Sequence, residues 1–495
     1  MSDPQRTAEP AGRSYIFGGL GIAAARLARQ LAQLAIFIVG ARFLGPTEFG
    51  IYALVSAIAA IAVVVALAGF NSYILSVRGT PELLSEVLTI AFATGLAVAL
   101  VGATAAGIVF KVTGQTTIPL LLLLFSIWIL IAPIADAQAA ILIRQGRLGA
   151  AAACEISGEL FGIAIALWLL TAGVGAASLV FARIAAQCLQ LSCYTFLTGQ
   201  YPSLRVSKDV VKDVAYFSST VLSARILGNI RDSFSTFIIG AFLGAASVGF
   251  FRASQRLLGS VHELLSEPAR AITWLHLRKV TSPHGDPSGP AATADMQRAL
   301  EWMVPLLLAL AAPTYLGIAI MSEELLGLLL GDAWRPAAPV VTLLALASLL
   351  LAPAVFSEPM LGLTGKMRYM PRISLFNTVV AIALILPASQ VDVIHVAWAQ
   401  VASGFVIFAT TIWLHTRVLG LDWRRIAARC IFLLPVLLGM AVLALIVRDE
   451  AIARGAAPFV TLLVTAIPAA LLYLTGVAVL RARDFPVLIR SLKGG

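Results

Sequence analysis

Apolar runs of about 20 residues recur from residue 15 almost to residue 480, and each is long enough to cross a hydrocarbon layer about 30 Å thick as a helix. Charged residues make up only 12% of the 495-residue chain and the mean hydropathy is +0.93, so water is not the solvent for most of it. Inside a bilayer the backbone must satisfy its own hydrogen bonds. Long Leu/Ala/Val/Ile runs without two-residue alternation therefore predict helices and not a β-barrel. The reading is an all-α polytopic membrane protein with about fourteen spans, the first near 15–40 and the last near 458–480. The longest polar stretches, 199–213 and 281–297, are too short to bury a soluble core.

The net charge of +10 does not point to nucleic acid, because the Lys and Arg lie in short loops between spans. With the N-terminus in the cytoplasm, the cytoplasmic loops and tails carry about 22 Lys and Arg against about 5 on the other side. That bias predicts an even span count and both termini cytoplasmic. The apolar stretch after the polar first fourteen residues contains Arg26 and Arg29 and no small-residue cleavage site, so it is expected to stay as the first span. Cys154, Cys188, Cys193 and Cys430 make no CxxC pair and read as small membrane residues.

The chain repeats itself. Residues 37–53 read FIVGARFLGPTEFGIYA and residues 237–253 read FIIGAFLGAASVGFFRA; skipping Arg42 aligns them. A weaker echo pairs Ala132-Pro133 and Gly146-Arg147 with Ala352-Pro353 and Gly365-Lys366. The count parses as six plus six plus two, in parallel repeats about an axis along the membrane normal, which is a transporter architecture. The expected divisions are a cytoplasmic tail (1–14), an N-lobe (15–197), a cytoplasmic linker (198–213), a C-lobe (214–417), and a last pair of spans with a cytoplasmic tail (418–495).

In such a chain, ionisable residues inside spans are the main lead to function. Span 8 carries Arg252, Arg256, Glu263, Glu267 and Arg270 on one helical face. Arg252 and Arg256 are expected to lie about 9–15 Å deep, while Glu263, Glu267 and Arg270 form a ladder toward the cytoplasmic end. Span 7 aligns Ser218, Arg225, Asn229, Asp232 and Thr236; span 1 aligns Arg26, Gln30 and Gln33 with Arg29 at the edge; span 6 aligns Arg183, Gln187, Gln190 and Tyr194. Asp136, Glu155, Glu159 and Asp232 either neutralise these arginines, for example Glu155 or Glu159 with Arg183, or act as protonatable coupling groups; both can hold.

A guanidinium pairs bidentately with phosphate and stays charged, so an anionic, phosphate-bearing substrate in a wet cavity fits best. A cationic-drug antiporter would need acids instead. No GxxxxGK[ST] nucleotide loop, catalytic constellation or metal site is read, so no cofactor is expected, and the drive is an H+ or Na+ gradient, membrane potential or substrate gradient. His395 and His415, in or at a late span, read as interfacial or packed.

The run RFLGPTEFGIY at 42–52, after a basic first span, resembles the opening of polysaccharide flippases of the multidrug/oligosaccharidyl-lipid/polysaccharide (MOP) exporter superfamily. Asp232 followed by IIGAFLG…GFF at 238–251 resembles their seventh-to-eighth span junction, with Phe251 where the family often has Tyr. The resemblance covers essentially the whole chain. It implies two six-helix lobes around a V-shaped cationic cavity, two accessory helices, and no enzymatic activity. It also implies flipping of undecaprenyl-diphosphate-linked oligosaccharide by alternating access from the cytoplasmic to the periplasmic leaflet of a bacterial inner (plasma) membrane, the Wzx-type role. Such flippases use arginines in the first, seventh and eighth spans, which Arg26, Arg225, Arg252 and Arg256 match; the diphosphate is expected among them. Arg29, Gln30, Glu155, Glu159, Arg183, Asn229 and Asp232 are the further cavity or coupling candidates. Membrane lipids and the polysaccharide polymerase and chain-length machinery are the expected partners. The rivals are a lipid II (peptidoglycan precursor) flippase and a membrane polysaccharide polymerase or ligase; the short outer loops argue against the enzyme.

Overall fold

A computed structural model describes the backbone of residues 11–77, 80–203, 205–281 and 289–481; within these, the side chains of 11–29, 31–32, 220–221, 223–228, 230–232 and 480–481 lie outside the description. Every described element is a helix: α1 (Ala11–Leu67), α2 (Phe70–Ser76), α3 (Pro81–Thr113), α4 (Thr117–Arg144), α5 (Leu148–Thr171), α6 (Ala177–Thr198), α7 (Lys208–Thr281) and α8 (Pro290–Ile320). There follow α9 (Ser322–Leu329), α10 (Ala338–Leu351), α11 (Ser357–Leu363), α12 (Tyr369–Ala388), α13 (Val393–Leu419), α14 (Trp423–Cys430), α15 (Leu433–Ala453) and α16 (Pro458–Arg481). Among the described residues eleven helices are long and apolar enough to cross a membrane, or twelve if the bent pair α14 and α15 is one span. The sequence-based fourteen counts separately the two arms of α1 and of α7. The chain is a multi-pass membrane protein.

Straight, the 57 residues of α1 would reach about 85 Å, far beyond a bilayer. The helix is broken at Gly45, whose φ of 69° and ψ of 172° belong to a region essentially closed to residues with a Cβ. Pro46 follows, with the fixed φ and missing N–H that suit a helix start. The 74-residue α7 is broken at Gly244 with φ 77° and ψ 179°. These are the two glycines that the FLG repeat aligns, and they share one rare backbone conformation.

The weaker echo has the same quality. After α4, Gly146 has φ 77°, Gly146 N–H donates to Ile143 O (2.9 Å) and Arg147 N–H to Leu142 O (3.2 Å). After α11, Gly365 has φ 67°, Gly365 N–H donates to Gly362 O (3.4 Å) and Lys366 N–H to Leu361 O (2.9 Å). Both are left-handed glycine stops that satisfy the last carbonyls of a helix. The basic residue that follows then caps another helix: Arg147 Nη1 donates to Leu197 O of α6 (2.7 Å), and Lys366 Nζ to Val418 O of α13 (3.2 Å).

The chain divides into two compact units, Met1–Gly240 and Ala241–Gly495. In the first, α3 packs on α4, and α4 and α5 pack on α6; in the second, α8 packs on α10, and α10 and α12 pack on α13. Small residues set the closest approaches. A Cβ on Gly158 of α5 would stand 2.9 Å from Ala186 O of α6, and one on Gly162 would stand 3.1 Å from Ala182 O, so this pair packs backbone against backbone.

The last three helices are tied to the second unit by charge as well as packing. Leu433, Met440, Ala444, Ala469 and Tyr473 form a buried cluster against Ala309, Leu316 and Ile320 of α8. Tyr473 Oη donates to Ala309 O (2.8 Å), Arg429 Nη2 pairs with Glu301 Oε2 (3.2 Å), and Arg448 Nε pairs with Glu324 Oε1 (2.7 Å).

Candidate functional site

Arg26, Arg29, Arg225 and Asp232 stand in α1 and α7, but their side chains lie outside the described residues. Gln30 is half-buried, and its buried Nε2 has no hydrogen-bond partner among the described residues. Asn229 is half-buried in α7.

Arg252 and Arg256 follow Gly244 by two and three turns, on one face of α7. Both are half-buried, flanked by the buried Phe251, Ala253, Ser254 and Leu257. Arg252 Nη1 reaches Gln255 Oε1 at 3.4 Å. Ser254 and Ser260 spend their hydroxyls on the helix backbone, on Phe250 O (2.7 Å) and Arg256 O (3.0 Å), and so do not compete for the guanidinium groups. Two guanidinium groups one turn apart form a concentrated positive site that suits an oxyanion with several acceptor oxygens. Lower on the helix one rung of the expected ladder is present: Arg270 pairs with Glu267 (3.1 Å) and reaches Glu358 of α11 at 3.8 Å.

In the first unit Glu155 and Glu159 are half-buried on α5, and Glu155 O accepts from Gln190 Nε2 of α6 at 3.2 Å. Asp136 Oδ1 accepts from Asn71 Nδ2 at 3.3 Å. Arg183 departs from expectation. It does not pair with Glu155 or Glu159, and among the described residues no carboxylate lies within ion-pair distance of it. Its guanidinium instead lies over the ring of Trp128, 4.2 Å from the centroid, which satisfies the charge with a π face.

The Ile320 end of α8 opens a cleft of about 500 Å³ lined by Ser322, Glu323, Arg335, Thr342 and Arg448. Its cations are already matched: Arg335 pairs with Asp332 (2.9 Å), and Arg448 with Glu324 (2.7 Å) and Glu323 (3.5 Å). That cleft offers an anion little. The two histidines read as packed or interfacial are so. His415 is fully buried, bonded through Nε2 to Ser357 Oγ (3.0 Å) and stacked on Trp423, and His395 is an exposed partner of Asp392.

Sequence reasoning missed the Trp128–Arg183 contact and the buried acids Glu301 and Glu324. A carboxylate inside or beside an apolar run was the available signal for the acids. Nothing in the spacing of Trp128 and Arg183, on helices separated by a third, pointed to their contact.

A profile described as polysaccharide biosynthesis protein matches residues 39–339, more than half of the chain. No curated protein matches in sequence. Among solved structures, the chain is similar to a lipid II flippase MurJ in an inward closed conformation, with a TM-score of 0.71, 14% identity, and 94% of this chain and 99% of the other covered. It is also similar to an inward-facing multidrug resistance MATE family transporter of the MOP superfamily, with a TM-score of 0.60, 14% identity, and 79% and 95% covered. At these identities the likeness gives the fold, a MurJ- and MATE-like transporter fold.

Proposed function

The chain belongs to the polysaccharide biosynthesis protein family, and we propose that it flips undecaprenyl-diphosphate-linked oligosaccharide repeat units from the cytoplasmic to the periplasmic leaflet of a bacterial inner membrane. The observation that carries the reading is the pair Arg252 and Arg256, half-buried one turn apart in an apolar helix of a transporter fold. Charge at that depth is costly in lipid and useful where an anion is bound. Arg26 and Arg225 complete the set that would hold the diphosphate, with Arg29, Gln30, Glu155, Glu159, Asn229 and Asp232 as further polar or coupling groups. The sugars would occupy a polar cavity and the polyprenyl tail would stay in lipid. Transport would proceed by alternating access, coupled to an H+ or Na+ gradient, with both termini cytoplasmic and with the polymerase and chain-length machinery downstream.

The test is a strain lacking the protein. It should lose surface glycan and accumulate lipid-linked repeat units, and the wild-type gene should restore export. Ala at Arg26, Arg225 or Arg256 should not restore it at matched protein levels, and Lys should restore it only in part, since it offers a point charge in place of a fork. Restoration by all three Ala variants would reject the assignment.

A further inference from the structure

Arg429 and Arg448 of the second unit are bound to carboxylates, and among the described residues no carboxylate lies within ion-pair distance of Arg183. It is an exposed side chain on α6, and among the described residues the neighbour that balances its charge is an aromatic ring. That ring is fixed. Trp128 is 7% exposed, its Nε1 donates to Gln187 Oε1 (3.3 Å) one turn further along α6, and Phe125 packs edge-on at 6.1 Å. An indole balances a cation through its π face without accepting the guanidinium N–H groups in the manner of a carboxylate, so the fork stays available to an oxyanion. The result is a donor fork held beside Trp128, with no carboxylate at ion-pair distance among the described residues.

The depth makes this arrangement expensive unless it is used. Arg183 is the seventh residue of α6, about 9 Å from the Ala177 end and about 22 Å from the Thr198 end of a helix about 33 Å long. The fold does not require the charge. Gly199 and Gly420, with φ of 64° and 68°, end α6 and α13 with the same left-handed stop, which sets Arg183 level with Gly404. There the second half has no side chain, and a Cβ would stand 3.3 Å from Leu350 Cδ1 and 3.4 Å from Ala347 O of α10. One half packs a backbone where the other presents a cation.

We propose that Arg183, oriented by Trp128, is a binding residue of the first unit for an oxyanion carried by the transported molecule, and that Trp128 is its positioning residue. The inference rests on the flippase reading above. The oxyanion is a phosphate of the polyprenyl diphosphate or a carboxylate of an acidic sugar, since both present paired acceptor oxygens to the fork.

The experiment uses the full chain in phosphatidylcholine nanodiscs. Binding is measured for undecaprenyl diphosphate, for a soluble glucuronate-containing tetrasaccharide, and for phosphatidylglycerol as an ordinary anionic lipid. Arg183→Gln should weaken binding of one of the first two probes about tenfold, and the probe affected names the source of the oxyanion. Arg183→Lys should recover part of that loss. Trp128→Phe, which keeps a π face but not the bond to Gln187, should fall between wild type and Arg183→Gln. None of the Arg183 variants should change the melting temperature. Wild-type binding of both probes by Arg183→Gln, or a loss confined to phosphatidylglycerol, would overturn this inference and leave the flippase reading standing if export persists. Failure of the wild type to bind either probe, together with normal surface glycan in its absence, would remove both.

Discussion

In the first unit, Arg147 follows the left-handed Gly146 and caps α6; in the second, Lys366 follows the left-handed Gly365 and caps α13. The two halves end these helices with the same hydrogen-bond pattern although few residues are shared. Their charged groups are treated differently. The second unit binds Glu301 and Glu324 to Arg429 and Arg448 of its last helices. The first leaves Arg183 over the ring of Trp128, with no acid at ion-pair distance among the described residues. The repeat therefore preserves backbone devices, which fix how helices meet, and lets side chains diverge, which fix what each half holds.

A one-residue difference between the halves makes the same point. Pro133 and Gly146 are 13 positions apart, and Pro353 and Gly365 are 12 apart. In the shorter stretch, Ala352–Phe356 is wound as a 3-10 helix. Tighter winding gives about 2.0 Å and 120° per residue, against about 1.5 Å and 100° in an α-helix. Four of these residues, 353–356, lie within the shorter stretch and make up for the missing one: both stretches advance about 20 Å and turn through about 1300°. The glycine stop and its cap thus fall in the same place in each half.

The largest difference between the units is expected at the ion pairs. Arg448→Met leaves the Glu324 carboxylate, 7% exposed, without its cation and should cost about 3–5 kcal/mol, read as a lower melting temperature in detergent. Glu324→Gln combined with Arg448→Met should regain part of that loss, whereas Arg183→Gln in the first unit should cost nothing measurable. Next come the hairpins. Gly45→Ala and Gly244→Ala force a Cβ into the same forbidden region and should each cost about 1–3 kcal/mol. An effect at one and none at the other would show that the shared conformation does not carry the same weight in both halves.

Smaller effects belong to the caps. Arg147→Ala and Lys366→Ala each remove one hydrogen bond to a helix end and should each cost about 1 kcal/mol, with export unchanged. The smallest effect concerns Asp392, which caps α13 by accepting from His395 N–H (2.7 Å); α6 starts without a side-chain cap. That backbone bond, aided by the His395 side chain, lowers the Asp392 pKa. A carboxyl whose folded pKa is lowered stabilises the fold above its unfolded pKa, about 3.9, and loses that contribution as pH falls through the folded value. Melting temperature should therefore fall slightly faster below about pH 4 in the wild type than in Asp392→Asn.

Much of this was legible in the sequence because lipid leaves few choices. Apolar runs must be helices, and the FLG repeat marked both glycine breaks. The weak Gly146 and Gly365 echo, unremarkable as letters in an apolar chain, matches atom for atom in its hydrogen bonds. The ladder of Glu267 and Arg270 also followed from helical periodicity, and the packing of His415 from its place as a lone histidine at a late span. The partner of Arg183 did not, because periodicity gives the face a residue occupies and not the side chain on the facing helix. By charge alone Glu155 and Glu159 were the expected partners, and a neutral indole was not. The same limit hid the bonds of Glu301 and Glu324 to arginines more than a hundred residues away.

The most direct test of the account is reconstituted translocation. The purified protein is placed in proteoliposomes loaded with undecaprenyl-diphosphate-linked oligosaccharide, and glycan exposure is followed with a lectin that cannot cross the bilayer. The account predicts that wild-type protein exposes glycan from the inner leaflet, that Arg256→Ala abolishes this at equal protein, and that Arg256→Lys retains part of it. Equal exposure by wild type and Arg256→Ala, or by wild type and protein-free liposomes, would contradict it.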